Sequence, residues 1–164
     1  MKVVGFKLKV KGCPILFTAE VIGDTWTIMI LRELFAGNDK FDGLLARVGA
    51  STNILSNRLK RLVDNGIAVK EPYQEKPTRY RYQLIKAGLS LFPIVLSVVK
   101  WGNAWSPYGA TVSVYHIPCG EIQPDGLACP LCGETLKPEN TRFGIAKLVA
   151  LQKAEETDAG SHQE

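Results

Sequence analysis

Gly49-Ala50-Ser51-Thr52-Asn53-Ile54-Leu55-Ser56-Asn57-Arg58-Leu59-Lys60-Arg61-Leu62-Val63-Asp64-Asn65-Gly66 is the stretch on which the fold turns. Gly49-Ala50 is a tight break, Ser51 a good helix N-cap and Gly66 a residue that ends helices. Between them Leu55, Leu59 and Leu62 fall at i, i+4 and i+7, so the helix buries one narrow leucine face. The opposite face carries Asn53, Ser56, Asn57 and Lys60, with Arg58 and Arg61 near the flank and no carboxylate before Asp64. Amides and long cationic donors on one face suit a polyanion that also presents base edges to read.

Working upstream, Phe41, Leu44, Leu45 and Val48 sit at helical spacing, with Gly37-Asn38-Asp39 as the expected stop of the preceding helix and cap of this one. Two helices joined by a short glycine-containing turn, the second polar and cationic outside, describe a helix-turn-helix. Before them, Thr25 to Phe35 is apolar on several sides and belongs in the middle of a core, with Asp24 as its cap. Pro14 opens a shorter helix to Ile22, where its missing N–H costs nothing.

Downstream, Ile67 to Tyr73 and Arg79 to Leu84 alternate as two strands around Gln74-Glu75-Lys76-Pro77-Thr78. A hairpin directly after the second helix is a wing, and its tip offers Lys76 and Arg79 to a nucleic-acid backbone or minor groove. Gly88 to Trp101 is then nearly all apolar, more than a small winged helix can cover, which predicts a homodimer. After Pro107 a short strand at Val112 and Val114 leads into His116-Ile-Pro-Cys119-Gly and Cys129-Pro-Leu-Cys132-Gly. The expected organisation is an N-terminal arm (1–12), a winged helix-turn-helix with its dimerisation helix (13–106), a zinc-ribbon-like module (107–145) and a polar, acidic tail (146–164). The fold class is mainly α with a small β-hairpin.

Charge sharpens this reading. The 164 residues carry a net +4, but residues 1–109 hold 16 Lys+Arg against 8 Asp+Glu, or +8, while residues 110–164 hold 4 against 8, or −4. The basic part is the one to bind a polyanion, here double-stranded DNA. The longest apolar run, Leu91 to Val99, falls short of the ~20 residues a bilayer requires, and lysines interrupt the start before a signal sequence can form. The expectation is a cytoplasmic protein without a membrane span, in a compartment where thiols stay reduced.

The order Cys13-Pro14, Val21-Ile22-Gly23-Asp24-Thr25-Trp26-Thr27, Ile30-Leu31-Arg32-Glu33-Leu34, Phe41, Leu55-Ser56-Asn57-Arg58-Leu59-Lys60-Arg61-Leu62, Asn65-Gly66-Ile67, Tyr73, Pro77, Tyr82-Gln83-Leu84 and Trp101-Gly102 resembles the HxlR-type transcriptional regulators, relatives of the MarR regulators. The resemblance covers roughly Cys13 to Trp105. It implies a dimeric winged-helix DNA-binding protein. Ile85 departs from the pattern, standing where the family usually has Thr, and Ala68-Val69-Lys70 replaces an apolar-then-Arg entry to the wing.

Thr52, Asn53 and Asn57 are the candidates for base edges, and Ser56 shares their face. Ser51, Arg58, Lys60, Lys76 and Arg79 are candidates for phosphates, although an arginine at position 58 has the alternative of pairing within the fold. His116, Cys119, Cys129 and Cys132 form an H-x2-C-x9-C-x2-C set, with Gly120 and Gly133 closing the two pairs and letting backbone N–H groups approach sulfur. Four such ligands suit one structural zinc per chain. The fourth cysteine, Cys13, sits at a helix start near Lys9 and Lys11, a setting that lowers a thiol pKa. Its two readings are a packing residue and, by the family resemblance, a sensor of oxidants or electrophiles; a small-molecule effector is the related possibility. No enzyme constellation is present: no Ser-His-Asp set can form with His116 and His162, and no glycine-rich phosphate loop follows a strand. The rival to a DNA-binding regulator is a protein-interaction adaptor that docks winged helix and ribbon on another protein.

Overall fold

The computed structural model describes residues 12–145. Most of the expected N-terminal arm, with Lys9 and Lys11, and the tail with His162 lie outside the described residues.

Helix α1 (Pro14–Ile22) carries Pro14 in its first turn, and Cys13 is its N-cap. Helix α2 (Thr25–Phe35) is capped by Asp24, which accepts the Thr27 N–H at 3.1 Å and the Thr27 hydroxyl at 2.6 Å. Helix α3 (Phe41–Val48) begins one residue later than Gly37-Asn38-Asp39 suggested: Lys40 occupies the cap position and makes no side-chain cap bond. Tertiary pairing sets that start, because Lys40 forms an isolated β-bridge with Arg81. Gly49, at φ 75, turns the chain into α4 (Thr52–Asp64), whose cap Ser51 accepts the Ile54 N–H at 3.4 Å.

Helix α4 packs on α2 and α3. Its leucines do what their spacing predicts: Leu55 and Leu59 are fully buried and Leu62 nearly so, in a core shared with Ile30, Leu31 and Leu44. Each fully buried leucine contributes about 1.5–3 kcal/mol. A carboxylate also lies in this region. Glu33 is 2% exposed and survives there because Arg32 reaches it at 2.7 Å and the Asn38 amide at 3.0 Å.

Strands β1 (Ala68–Glu75) and β2 (Thr78–Leu84) form the antiparallel wing. Both run closer to the tip than the sequence suggested. A register shift between Pro72 and Gln74 lets Gln74 and Glu75 pair with Arg79 and Thr78, which leaves only Lys76 and Pro77 in the turn. Helix α5 (Lys86–Leu89) follows, and there Gly88 is required by close approach: a Cβ would lie 2.2 Å from the Ile67 carbonyl oxygen. Helix α6 (Phe92–Trp105) buries Phe92, Val95, Leu96 and Val99 while exposing Ile94, Val98, Trp101 and Trp105. Phe92 meets Phe35 edge to face at 5.4 Å.

Together α5 and α6 make Lys86–Trp105 a stretch of 20 residues, long and apolar enough by length and composition alone to cross a bilayer. This stretch is longer than the Leu91 to Val99 run because it takes in α5, the turn at Ser90 and Leu91, and the rest of α6 past Lys100.

Beyond α6, strands β3 (Val112–His116), β4 (Gly120–Ile122) and β5 (Thr141–Ile145) form an antiparallel sheet in the order β4-β3-β5. Val114, Ile122, Leu136 and Phe143 supply its small core. By packing, the chain divides into units of residues 1–95 and 96–164, and the division falls inside α6 rather than after residue 106.

Candidate nucleic-acid interface and metal centre

On α4, the buried leucines fix which side faces out. Thr52, Asn53, Ser56, Asn57 and Lys60 are all exposed, and the first four occupy i, i+1, i+4 and i+5, one continuous patch over the first two turns. Ser51 sits at the head of the patch with its oxygen in the cap bond, so its hydroxyl proton remains available to an acceptor. Lys60 pairs with Asp64 at 2.5 Å, but both are exposed and such a pair is weak enough for a phosphate to displace.

Arg58 is the exception among the sequence candidates. Its Nε donates to Asp24 Oδ1 at 2.8 Å, and both side chains are about three-quarters buried (26% and 29% exposed). The arginine is committed to holding α4 against the start of α2, the within-fold alternative raised by its position. Burial pushes the Asp24 pKa up, but the hydrogen bonds from Thr27 and Arg58 outweigh it and hold the carboxyl below its ordinary value. Arg61, exposed, donates to the Glu20 carbonyl at 3.1 Å and ties α4 to the end of α1.

On the wing, Lys76 is exposed at the turn and Arg79 makes a loose 3.4 Å contact with the exposed Asp42. Three further cations lie over tyrosines of the hairpin and were not among the sequence candidates. Lys70 lies 3.8 Å over the Tyr80 ring, Lys40 5.0 Å over Tyr73, and Arg81 5.7 Å over the same ring. A cleft of about 450 Å³ opens between Ser56 and the wing, walled by Phe41, Tyr73, Tyr80 and Tyr82 and edged by Lys70 and Arg79. The strand alternation carried the signal for Tyr80 and Tyr82. Lys70, already marked at the entry to the wing, owes its place beside the cleft to the register that sets it opposite Tyr82.

The second constellation assembles from two segments, the end of β3 with the turn after it and the loop that holds Cys129 and Cys132. His116, Cys119, Cys129 and Cys132 bring one ligand atom each within 4.8 Å of one another, and Cys132 Sγ lies 3.6 Å from His116 Nδ1. That separation matches the edge of a tetrahedron with metal–ligand bonds of ~2.0–2.3 Å, so the donors fit a metal such as zinc. Nδ1 therefore faces the centre. The other ring nitrogen, Nε2, is fully buried and lies 3.3 Å from Glu134 Oε2, too poorly aligned to count as a hydrogen bond.

Glu134 in turn accepts from the Asn140 amide at 3.1 Å. The Asn140 amide also donates to the Thr135 carbonyl, its oxygen accepts the Lys137 N–H, and its carbonyl accepts the Ile117 N–H, which binds the two ligand-bearing turns together.

Gly120 and Gly133 adopt φ 84 and 75, turns that other residues resist, while the N–H groups of Leu131 and Cys132 are the ones that reach Cys129 sulfur. Burial opposes a thiolate at Cys129, yet those N–H groups and the neighbouring thiols draw its pKa down to about 7. Cys119 is pushed up to about 12, chiefly by its hydrogen bond to Cys132. One negative charge is stabilised here and a second is resisted, a condition a divalent cation relieves.

A winged helix-turn-helix with an exposed amide-rich reading helix defines a DNA-binding transcriptional regulator. The chain belongs to the HxlR-like helix-turn-helix family, whose model matches residues 21–109. It is 36% identical over 123 residues to the uncharacterized HTH-type transcriptional regulator Rv3095 of Mycobacterium tuberculosis, covering 74% of this chain and 78% of that one. An uncharacterized HTH-type transcriptional regulator of Synechocystis is 36% identical over 94 residues, 57% of this chain and 70% of the relative. Among solved structures, PA1607 superposes with a TM-score of 0.66 at 29% identity, over 86% of this chain and 100% of that one. The redox regulator HypR in its reduced form gives 0.54 at 28%, over 58% and 96%.

Proposed function

We propose that the regulator binds double-stranded DNA as a homodimer, with one α4 in each of two successive major grooves, and carries one structural zinc per chain. The observation that carries the DNA reading is the exposed Thr52, Asn53, Ser56, Asn57 patch over the first two turns of α4. Asn53 and Asn57 are suited to adenine edges, while Ser51, Lys60, Lys70, Lys76 and Arg79 take phosphates. The apolar side chains exposed along α6 supply the surface for a second copy, and a two-fold dimer places the reading helices about 34 Å apart on a pseudo-palindrome. Such a protein works where the DNA is, which in a prokaryote is the cytoplasm. Zinc at the four ligands supplies a cross-link between turns and leaves no coordination position open for chemistry. We also assign Cys13 as the thiol through which oxidants reach DNA affinity; it is half-buried at the N-cap of α1, and the similarity to HypR, named for redox regulation, supports that role.

Selecting bound fragments of genomic DNA with purified protein tests the reading. A dimer that neutralises about 6–10 phosphates should lose roughly 10³- to 10⁵-fold in affinity for the selected site between 50 and 200 mM salt. Protein that binds no duplex in a salt-dependent way, or that enriches no sequence, supports the adaptor instead.

A further inference from the structure

The second half of α6 and the metal module belong to the same compact unit, residues 96–164, and two side chains of the helix reach into the module. The Asn103 amide donates to the Val112 carbonyl at 2.6 Å, and its oxygen accepts the N–H groups of Thr111 and Val112 at 3.2 Å each. Val112 opens β3, the strand that ends on His116. Lys100 binds Asp125 at both its backbone carbonyl and, at 2.9 Å, its carboxylate, and Asp125 lies in the loop between Cys119 and Cys129. The helix is thus fastened to both segments that lead into the ligand cluster.

Angular position makes these contacts informative. At ~100° per residue, Leu96, Val99, Lys100 and Asn103 fall on one arc of α6, and Val98, Trp101 and Trp105 fall on the opposite arc. The first arc is buried or bound to the module. The second is 44%, 68% and 74% exposed and carries no charge. Lys100, the one ionic side chain in this half of the helix, has its charge met by Asp125 within the same chain. An uncharged apolar arc of this kind is self-complementary across a two-fold axis, since neither copy presents a like charge to the other. Terminal turns of a helix hold their shape only when something packs on them. Small metal modules, in turn, fold with their metal.

We propose that metal at His116, Cys119, Cys129 and Cys132 holds the second half of α6 in shape through Asn103 and Lys100, so that the Val98, Trp101, Trp105 surface which receives a second copy of the chain is complete only in metal-loaded protein. The proposal rests on the metal and homodimer readings above and adds that the two are one equilibrium. Linkage makes it reciprocal: whatever loosens the helix from the module must also loosen the metal.

The test uses the full chain, loaded with zinc or stripped by chelator under reducing conditions. Amide hydrogen exchange is followed in residues 98–105, with α4 as internal reference. Stripping should speed exchange in 98–105 at least tenfold, leave α4 unchanged, and raise the dimer dissociation constant in sedimentation at least tenfold. Asn103→Ala should weaken zinc binding in a chelator competition by a comparable factor while its α4 exchange stays that of the wild type. Unchanged exchange in 98–105 on stripping, or an Asn103→Ala protein with unaltered zinc affinity and unaltered exchange, overturns the proposal. Protein that is monomeric with and without zinc while 98–105 still responds overturns the homodimer and leaves the metal brace standing, because exchange is read within one chain.

Discussion

Asp24 does two jobs with one carboxylate: it caps α2 through Thr27 and anchors α4 through Arg58. Asp24→Ala therefore removes a cap and strands a largely buried guanidinium, and should cost about 2 kcal/mol in a denaturant titration. The sign with pH follows from the lowered pKa. A depressed carboxylate contributes stability that is fully present above its unfolded value of about 3.9 and is lost as pH falls through the folded one. The gap between wild type and variant should therefore narrow as the solution is acidified below about pH 4; a gap that widens there contradicts the assignment. Cys13 is tested by chemistry rather than stability. Its sulfur accepts the Leu16 N–H at 3.5 Å at the N-cap of α1, where an adduct would force the first turn to move. With the three module thiols protected by metal, a mild oxidant should lower operator affinity in wild type and spare Cys13→Ser. Equal loss in the two proteins would leave Cys13 as a packing residue.

At the scale of elements, the proposed interface assigns base reading to α4 and backbone contact to the wing, and substitutions should separate the two. Asn57→Ala should cost about 1–3 kcal/mol at the selected operator and relax the preference at one base pair, leaving the salt slope alone. Lys76→Ala should instead weaken all duplexes alike and lower that slope by about 1; a Lys76 effect confined to one sequence would reverse the roles. Helix α4 was legible in the sequence because everything that shapes it is local: the Ser51 cap, the Leu55, Leu59, Leu62 face and the Gly66 stop. The ligand quartet was legible for a similar reason, its pairs lying three residues apart. What escaped was set by partners far along the chain. Arg58 meets Asp24 across 34 positions and Arg79 meets Asp42 across 37, so no window of sequence shows them spent or shared. Lys40 took the cap of α3 because β2 pairs with it, and the wing lengthened because of a bulge that nothing in Pro72-Tyr73-Gln74 announces.

For the whole molecule, the two units have unequal means of support. Residues 1–95 bury a core of leucine, isoleucine and phenylalanine, whereas the unit that holds the β3–β5 sheet has only the small core of Val114, Ile122, Leu136 and Phe143. Metal analysis of protein purified without chelator should find one zinc per chain. Cys129→Ser should lose it and unfold the sheet, leaving a cooperative transition from residues 1–95. Stoichiometric metal kept after both Cys129 and Cys132 are replaced would mean that other ligands hold it. The placement of tryptophan has a consequence for the bench. Of the three in the chain, Trp101 and Trp105 stand exposed on one arc of α6, and Trp26 is half-buried in α2. Two of three fluorophores thus sit in water in the free chain and leave it when a second copy covers that arc. The ultraviolet emission of the unlabelled protein should move to shorter wavelength with rising concentration, so that it reports its own assembly without an attached dye.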